Sequence, residues 1–305
     1  MSLFDIHTLG CGSAKPSLRH HCSCTVAEHR GTLYMIDCGE GAQINFMRQR
    51  LKSSRLRHIF LTHLHGDHVL GLPGLLSTLS LGEAGGKITV HTFPEGIKIL
   101  RQMMNFFAPR LTYELEFNEI DPDSEQTILD TGTLKVRTIP LHHRVPDVGY
   151  VFEEYPPLRH IVRDMCDFHG VPVWQLNAIK QGADFVKPDG TVITNHVLTR
   201  DAGPGMSYAH ISDTLYMPEI AEKIGPVDLL FHETTYLREH ADLARDRFHS
   251  TAEQAACIAR DAGAHRLLTG HYSSRYQDES LFVKEAAEIF PAAILNHEGL
   301  VTPVR

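Results

Sequence analysis

The sequence predicts an α/β fold in which two sheets carry helices on their outer faces, four layers in all. Three observations predict it. Short β-like runs rich in Ile, Val, Tyr and Thr, often bounded by Gly or Pro, alternate with helical patterns along the whole chain. The 305 residues are 42% hydrophobic, enough for a sizeable core. No apolar run is long enough to span a bilayer.

In chain order, strands are expected at 4–10, 32–39, 58–63, 87–93 and 134–141. Helical spacing of apolar residues marks 40–51 and 94–108, and the second opens on Pro94, which suits a first helical position. The second half repeats the theme with strands at 206–213, 228–234 and 266–272. A helix is expected over 250–264, where Ser250 and Glu253 fit a capping box, Ala255, Ile258, Ala259 and Ala262 share a face, and Gly263 stands near the stop. Another over 278–290 ends at Pro291. Residues 154–204 break the pattern, with Pro and Gly at both ends and a modest helical middle. They read as an arm inserted into a single domain spanning 1–305, not as a second core.

The formal net charge of −8 does not suggest a nucleic-acid binder, although bound metals would add positive charge and local patches escape such a count. The six cysteines form no CxxC pair and read as reduced structural thiols. The chain does not open on a basic region followed by a long apolar run, so cytoplasm is the expected address and no membrane partner is expected. The informative excess is histidine, with 21 residues.

The stretch "THLHGDH" places His63, His65, Asp67 and His68 just past an expected strand. Alternate residues of extended backbone share a face, so His63 and His65 can point into one site. A turn at Gly66 lets Asp67 and His68 reach a second position. Imidazole and carboxylate suit zinc, and also manganese or iron. Two ions need further ligands, and later strand ends supply candidates: His142 or His143 in "LHHRV", Asp213 in "HISDT" and His271 in "TGHYS". An aspartate can bridge two ions through its two oxygens. The spacing leaves His142 and His143 nearly even.

With "LGCGSAKP", "IDCGEGAQ", "FLTHLHGDHVLGLPGLL", "PLHHRVPDVGY", "SDT", "HETTYL", "FHSTAEQAA" and "GHYSSRYQD" in this order, the chain resembles the metallo-β-lactamase superfamily, and within it the ribonuclease Z family of tRNA 3′-end-processing endonucleases. "HETTYL" with "HST" is more specific than the His-rich loop, which the whole superfamily shares. The resemblance implies a four-layer αββα sandwich and two zinc ions per subunit. His63, His65 and His143 would hold one ion, and Asp67, His68 and His271 the other, with Asp213 between them. The family's Pro-x-x-His spacing from Pro140 selects His143. Asp67 would also be the general base, His249 and Glu233 an acid pair beside the leaving group, and Arg275 their neighbour. Asp37 and Glu40 would support the ligand loop by hydrogen bonds.

The implied reaction is hydrolysis of precursor tRNA, leaving a 3′-hydroxyl on the tRNA and a 5′-phosphate on the trailer, by a homodimer. The arm at 154–204 takes the place of the family's tRNA-gripping exosite. Two departures stand out: Val171 where a Gly is expected, and His20-His21 in place of Arg-Asn. The competing readings are a small-substrate phosphodiesterase or other hydrolase of the same fold, and a non-catalytic metal-bearing RNA-binding subunit. The acid pair argues against thioester or lactam chemistry, which has no use for it.

Overall fold

The computed structural model describes residues 4–82 and 85–305. Its first half builds β1 (Phe4–Gly10), β2 (Cys24–His29), β3 (Thr32–Ile36), α1 (Ala42–Arg48), β4 (Leu56–Phe60), α2 (Gly66–Val69), α3 (Leu72–Leu81), β5 (Lys87–Thr92), α4 (Pro94–Phe107) and β6 (Glu114–Glu119). Then come β7 (Thr127–Asp130), β8 (Leu134–Pro140) and β9 (Val148–Glu154). The segment after β9 holds β10 (His160–Ile161), α5 (Arg163–Phe168), α6 (Leu176–Lys180), β11 (Phe185–Val186), β12 (Val192–Ile193), α7 (Asn195–Leu198) and β13 (Thr199–Arg200). The chain closes with β14 (Ser207–Ile211), α8 (Ile220–Ile224), β15 (Leu229–His232), α9 (Ala241–Arg247), α10 (Ala252–Ala262), β16 (Arg266–Leu268), α11 (Ser280–Ala287), β17 (Ala293–Ile294) and β18 (Val301–Pro303).

Two seven-stranded sheets result, ordered β18-β1-β2-β3-β4-β5-β6 and β17-β16-β15-β14-β9-β8-β7. Both are mixed. β3 through β6 run parallel, as do β14 through β17, while the hairpins are antiparallel. Parallel strands covered on both faces need continuous apolar runs, and five of the six residues of β5 are buried. The strands at 24–29, 114–119, 127–130 and 148–154 were not legible as elements. The helices pack outside. α3 buries Leu72, Leu75, Leu76 and Leu79 against the first sheet, and α10 buries Ala255, Ile258, Ala259 and Ala262 against the second. Between the sheets, Phe60 meets Tyr150 and Phe152 at centroid distances of 5.3 and 5.5 Å.

The α10 cap lies one residue later than the sequence suggests. Thr251 and Gln254 form the capping box. Ser250 is used elsewhere: its N–H donates to Glu233 Oε1 at 2.9 Å and its Oγ to the Thr214 carbonyl. A tertiary contact has taken the residue that local pattern assigned to the helix. Gly263, at φ +71°, ends the helix.

The chain divides into two compact units, Glu154–Met206 and the remainder. The smaller unit gathers Cys166, Ile179, Phe185 and Leu198 into a buried cluster of its own. Short elements there close over these few apolar side chains. Among the described residues, no helix is long and apolar enough to cross a membrane.

Candidate metal centre

His63, His65, His143, Asp213 and His271 follow strand ends, while Asp67 and His68 lie in the short helix α2 that comes after β4. The Thr62–His68 segment follows β4, and Asp37 follows β3. Asp37 Oδ1 accepts the Thr62 N–H at 2.8 Å, and its Oδ2 accepts the Thr62 hydroxyl at 2.9 Å and His68 Nδ1 at 2.7 Å. The second sheet ties in as well, since Val148 N–H donates to the Thr62 carbonyl and the Tyr150 hydroxyl to the Leu61 carbonyl. Gly39 is required by close approach, because a Cβ there would lie 2.2 Å from the Asp67 carbonyl oxygen. Glu40 does not join this support and lies on the cavity rim.

His63, His65 and His143 converge. His63 Nε2 and His143 Nε2 lie 3.0 and 3.2 Å from His65 Nδ1. His142 is exposed and stays outside this cluster, so the structure places the second histidine of the pair in the site. His143 Nδ1 donates to the Phe248 carbonyl at 2.9 Å, which makes its Nε2 a lone-pair acceptor. His63 Nδ1 lies 3.1 Å from a buried Asp147 oxygen and 3.1 Å from the Thr62 hydroxyl. Two ring nitrogens, one of them a lone-pair acceptor, thus crowd His65 Nδ1.

On the other side, Asp67 Oδ2 lies 3.5 Å from His68 Nε2 and 3.6 Å from His271 Nε2. Both of those nitrogens are buried without a hydrogen-bond partner. Asp213 Oδ2 stands between the groups, 3.9 Å from His63 Nε2 and 3.7 Å from His68 Nε2, while its Oδ1 is 3.2 Å from His271 Nδ1.

These residues fit divalent cations. Orphaned and crowded ring nitrogens and the buried carboxylates of Asp37, Asp147 and Asp213 are costly without positive charge between them. Burial first, then the neighbouring imidazoles, pushes His63 well below the ordinary imidazole range. Burial also lowers His65 and His143. The neutral ring is the form that coordinates metal. Asp67 is driven the other way: burial opposes its charge, but contacts with His271 and His68 hold it far below the usual carboxylate range.

Beside the centre, His249 Nδ1 is 3.0 Å from Glu233 Oε1. Glu233 is fully buried and accepts N–H groups of Thr214, Thr235 and Ser250 as well as the Thr235 hydroxyl. Burial opposes an imidazolium at His249, but the charges of Glu233 and Asp213 outweigh it and hold this ring up. Phe248, at φ +60° and ψ 48°, ends α9 in the left-handed region and turns the chain between Arg247 and His249. His271 itself has φ +61°, a strained conformation held by its Thr235 contact at 2.9 Å. An open cavity of about 400 Å³ is lined by His65, Asp67, His143, Asp213, His249 and His271. Arg275 lines an adjoining one of about 410 Å³ together with His249 and Arg247.

Sequence reasoning missed several groups. Thr62 and Thr235 brace ligands, Asp147 lies beside His63, the Phe248 carbonyl fixes a tautomer, and Ala14 N–H donates to Asp67 Oδ2 at 2.7 Å. No local pattern marks a backbone amide that meets a carboxylate 53 residues away. Only the resemblance to a known family could have pointed at "SAKP" or "VPDVGY".

The comparisons with known proteins agree with this geometry. Residues 18–158 match the family described as Metallo-beta-lactamase superfamily, and residues 166–272 the Beta-lactamase superfamily domain. The chain is 47% identical to the ribonuclease Z of Bacteroides fragilis over 301 residues, covering 98% of this chain and 99% of that protein. It is 48% identical to the ribonuclease Z of Parabacteroides distasonis over 300 residues, covering 98% and 99%. In fold it is similar to the crystal structure of the short form of human tRNase Z, with a TM-score of 0.71, 23% identity and 99% of each chain covered. It is similar also to YhfI from Bacillus subtilis, with a TM-score of 0.69, 16% identity and the same coverage. The four-layer metallo-β-lactamase architecture, the ordered motifs and full-length identity near one half lead to one conclusion: this chain belongs to the ribonuclease Z family of the metallo-β-lactamase superfamily.

Proposed function

We propose that the chain is a metal-dependent endoribonuclease that removes the 3′ trailer from precursor tRNA. The observation that carries this is the placing of the His249–Glu233 pair against the Asp213 edge of a cluster of imidazoles and carboxylates, in a chain 47% identical to a ribonuclease Z over nearly its full length. His63, His65 and His143 would hold one zinc ion, and Asp67, His68 and His271 a second, with Asp213 shared; manganese or iron suits the same donors. When bound, such ions acidify water and neutralise charge on phosphoryl oxygens.

The chain's own groups supply the remaining chemistry. Asp67, oriented by the Ala14 amide, takes the proton of the attacking water. His249, kept protonated by Glu233, gives its proton to the departing 3′-oxygen. The products are tRNA with a 3′-hydroxyl and a trailer with a 5′-phosphate. Arg275, beside His249, offers an exposed cation to the RNA backbone. The test is incubation with a 3′-extended precursor tRNA, with and without chelator, mapping the cut relative to the discriminator base. Chelator-insensitive cleavage, or none from metal-replete protein, overturns the reading.

The unit Glu154–Met206 is proposed to grip tRNA away from the cut, in a homodimeric, cytoplasmic enzyme. Deleting 156–203 is expected to weaken precursor binding and spare hydrolysis of bis-p-nitrophenyl phosphate. Sedimentation analysis tests the dimer.

A further inference from the structure

The loop between β1 and β2 carries charges that the reaction does not use. It leaves β1 at Cys11 and folds back on itself, with Gly12 N–H donating to the His21 carbonyl at 2.9 Å. A Cβ at Gly12 would lie 2.7 Å from His20 Cβ, so only glycine allows this closure. One end of the loop reaches the metal centre. Ser13, Ala14, Pro16 and Cys22 line its cavity, and Ala14, at φ +65°, delivers its N–H to Asp67 Oδ2.

The other end is fastened to the C-terminal part of the chain. The Arg19 guanidinium donates to the carbonyls of Tyr276 and Gln277 and meets Glu279 Oε1 at 2.9 Å. His20 Nε2 is 3.0 Å from that same Glu279 oxygen, and His20 Nδ1 is 3.1 Å from Glu298 Oε2. Glu298 Oε1 also accepts the His21 N–H at 3.0 Å. The His20, Glu279 and Glu298 side chains are only 14%, 21% and 19% exposed. Neutral imidazole carries one N–H and cannot donate at both nitrogens; only the charged ring satisfies both carboxylates.

We infer that His20, clamped between Glu279 and Glu298, is a positioning residue for the hydrolysis: it bolts the Cys11–His21 loop in place so that the Ala14 amide holds Asp67 in its reactive orientation. This rests on the reading of Asp67 given above. A residue far from the chemistry thereby sets the geometry of a group at its centre. The groups facing the ring are Glu298 before β18, Glu279 before α11, Arg19 on its own loop, the Cys11 thiol 3.5 Å from Nδ1, and the Tyr272 ring with its centroid 6.0 Å away. The hydrogen bond to Glu298 holds His20 above the ordinary imidazole range, against burial and with help from Glu279. A raised folded-state value means the clamp is complete below that ordinary range and is lost as pH climbs through the raised value.

The experiment compares metal-loaded full-length wild type with His20→Gln, His20→Arg and Glu298→Gln. It measures bis-p-nitrophenyl phosphate hydrolysis across pH, metal content, and amide hydrogen exchange of the peptide covering 11–22. His20→Gln is expected to keep its metal, lose roughly ten- to a hundredfold in kcat with KM little changed, and exchange faster in that peptide. Glu298→Gln should move the alkaline decline in rate to lower pH. His20→Arg, charged at every working pH, should restore rate and remove that decline. Wild-type kcat and unchanged exchange in His20→Gln overturn the inference, as does a kcat loss in which the peptide exchanges normally. If the wild type hydrolyses no phosphodiester, the proposed reaction fails instead, and the exchange comparison still decides whether His20 bolts the loop.

Discussion

The two halves of the sandwich furnish the metal centre in different ways. The first half delivers His63, His65, Asp67 and His68 from one seven-residue segment, Thr62–His68, in which Asp37 binds both Thr62 and His68. The second half delivers His143, Asp213 and His271 singly from separate strand ends and His249 from the end of α9, each braced by its own neighbour. The segment carries most of its geometry within a short stretch of backbone. The scattered set depends on four connections meeting correctly, so its position is a property of the whole sheet.

The largest expected effect breaks the link between the halves. Asp213→Ala removes the carboxylate that touches both groups of ligands, and should cost on the order of 10³-fold or more in precursor cleavage. Elemental analysis should show metal lost from both positions. His65→Ala, confined to the first-half loop, should empty one position only. Equal metal loss in the two variants would remove the distinction drawn here.

His249→Ala takes away the acid and leaves the ligands. Turnover should fall by about 10²–10⁴ while metal content stays at the wild-type level. Metal loss instead would make His249 a ligand, and its 3.9 Å distance from Asp213 would then be the relevant contact.

The braces sharpen the comparison further. Asp37 supports the loop through Thr62 and His68 together, whereas Asp147 faces His63 alone. Asp37→Asn should therefore weaken metal affinity by about 10–100-fold, at the upper end of what such supporting groups contribute. Asp147→Asn should cost less, and competition with a chromogenic chelator ranks the two. The smallest effect tests the scaffold of the second half: Thr251→Ala removes the α10 cap and should lower stability by about 1 kcal/mol in a denaturant titration with kcat unchanged.

The contrast between the halves is also why they differ in legibility. Four ligands within six residues form a pattern that a reader of sequence can see. His143 is invisible as such, because its neighbour His142 has the same side chain and no local feature tells them apart. The choice is made by the Phe248 carbonyl, which comes from the loop after α9. Strands at 24–29 and 148–154 carry little local signal because sheets bury residues by pairing, and pairing partners are distant in sequence. Ser250 fits a helix cap by local pattern but binds Glu233 for the same reason.

By itself the sequence determined the alternation of strands and helices, the apolar faces of α3 and α10, and a ligand loop whose spacing fits extended backbone followed by a turn. These follow from interactions within a few residues, where periodicity and turn chemistry suffice. Only the tertiary structure decided which histidine of a pair enters the site, which carboxylates brace it, and how the Ala14 amide comes to rest on Asp67. Those outcomes depend on contacts between segments tens to hundreds of residues apart, and such contacts exist only once both sheets have closed on the aromatic layer between them.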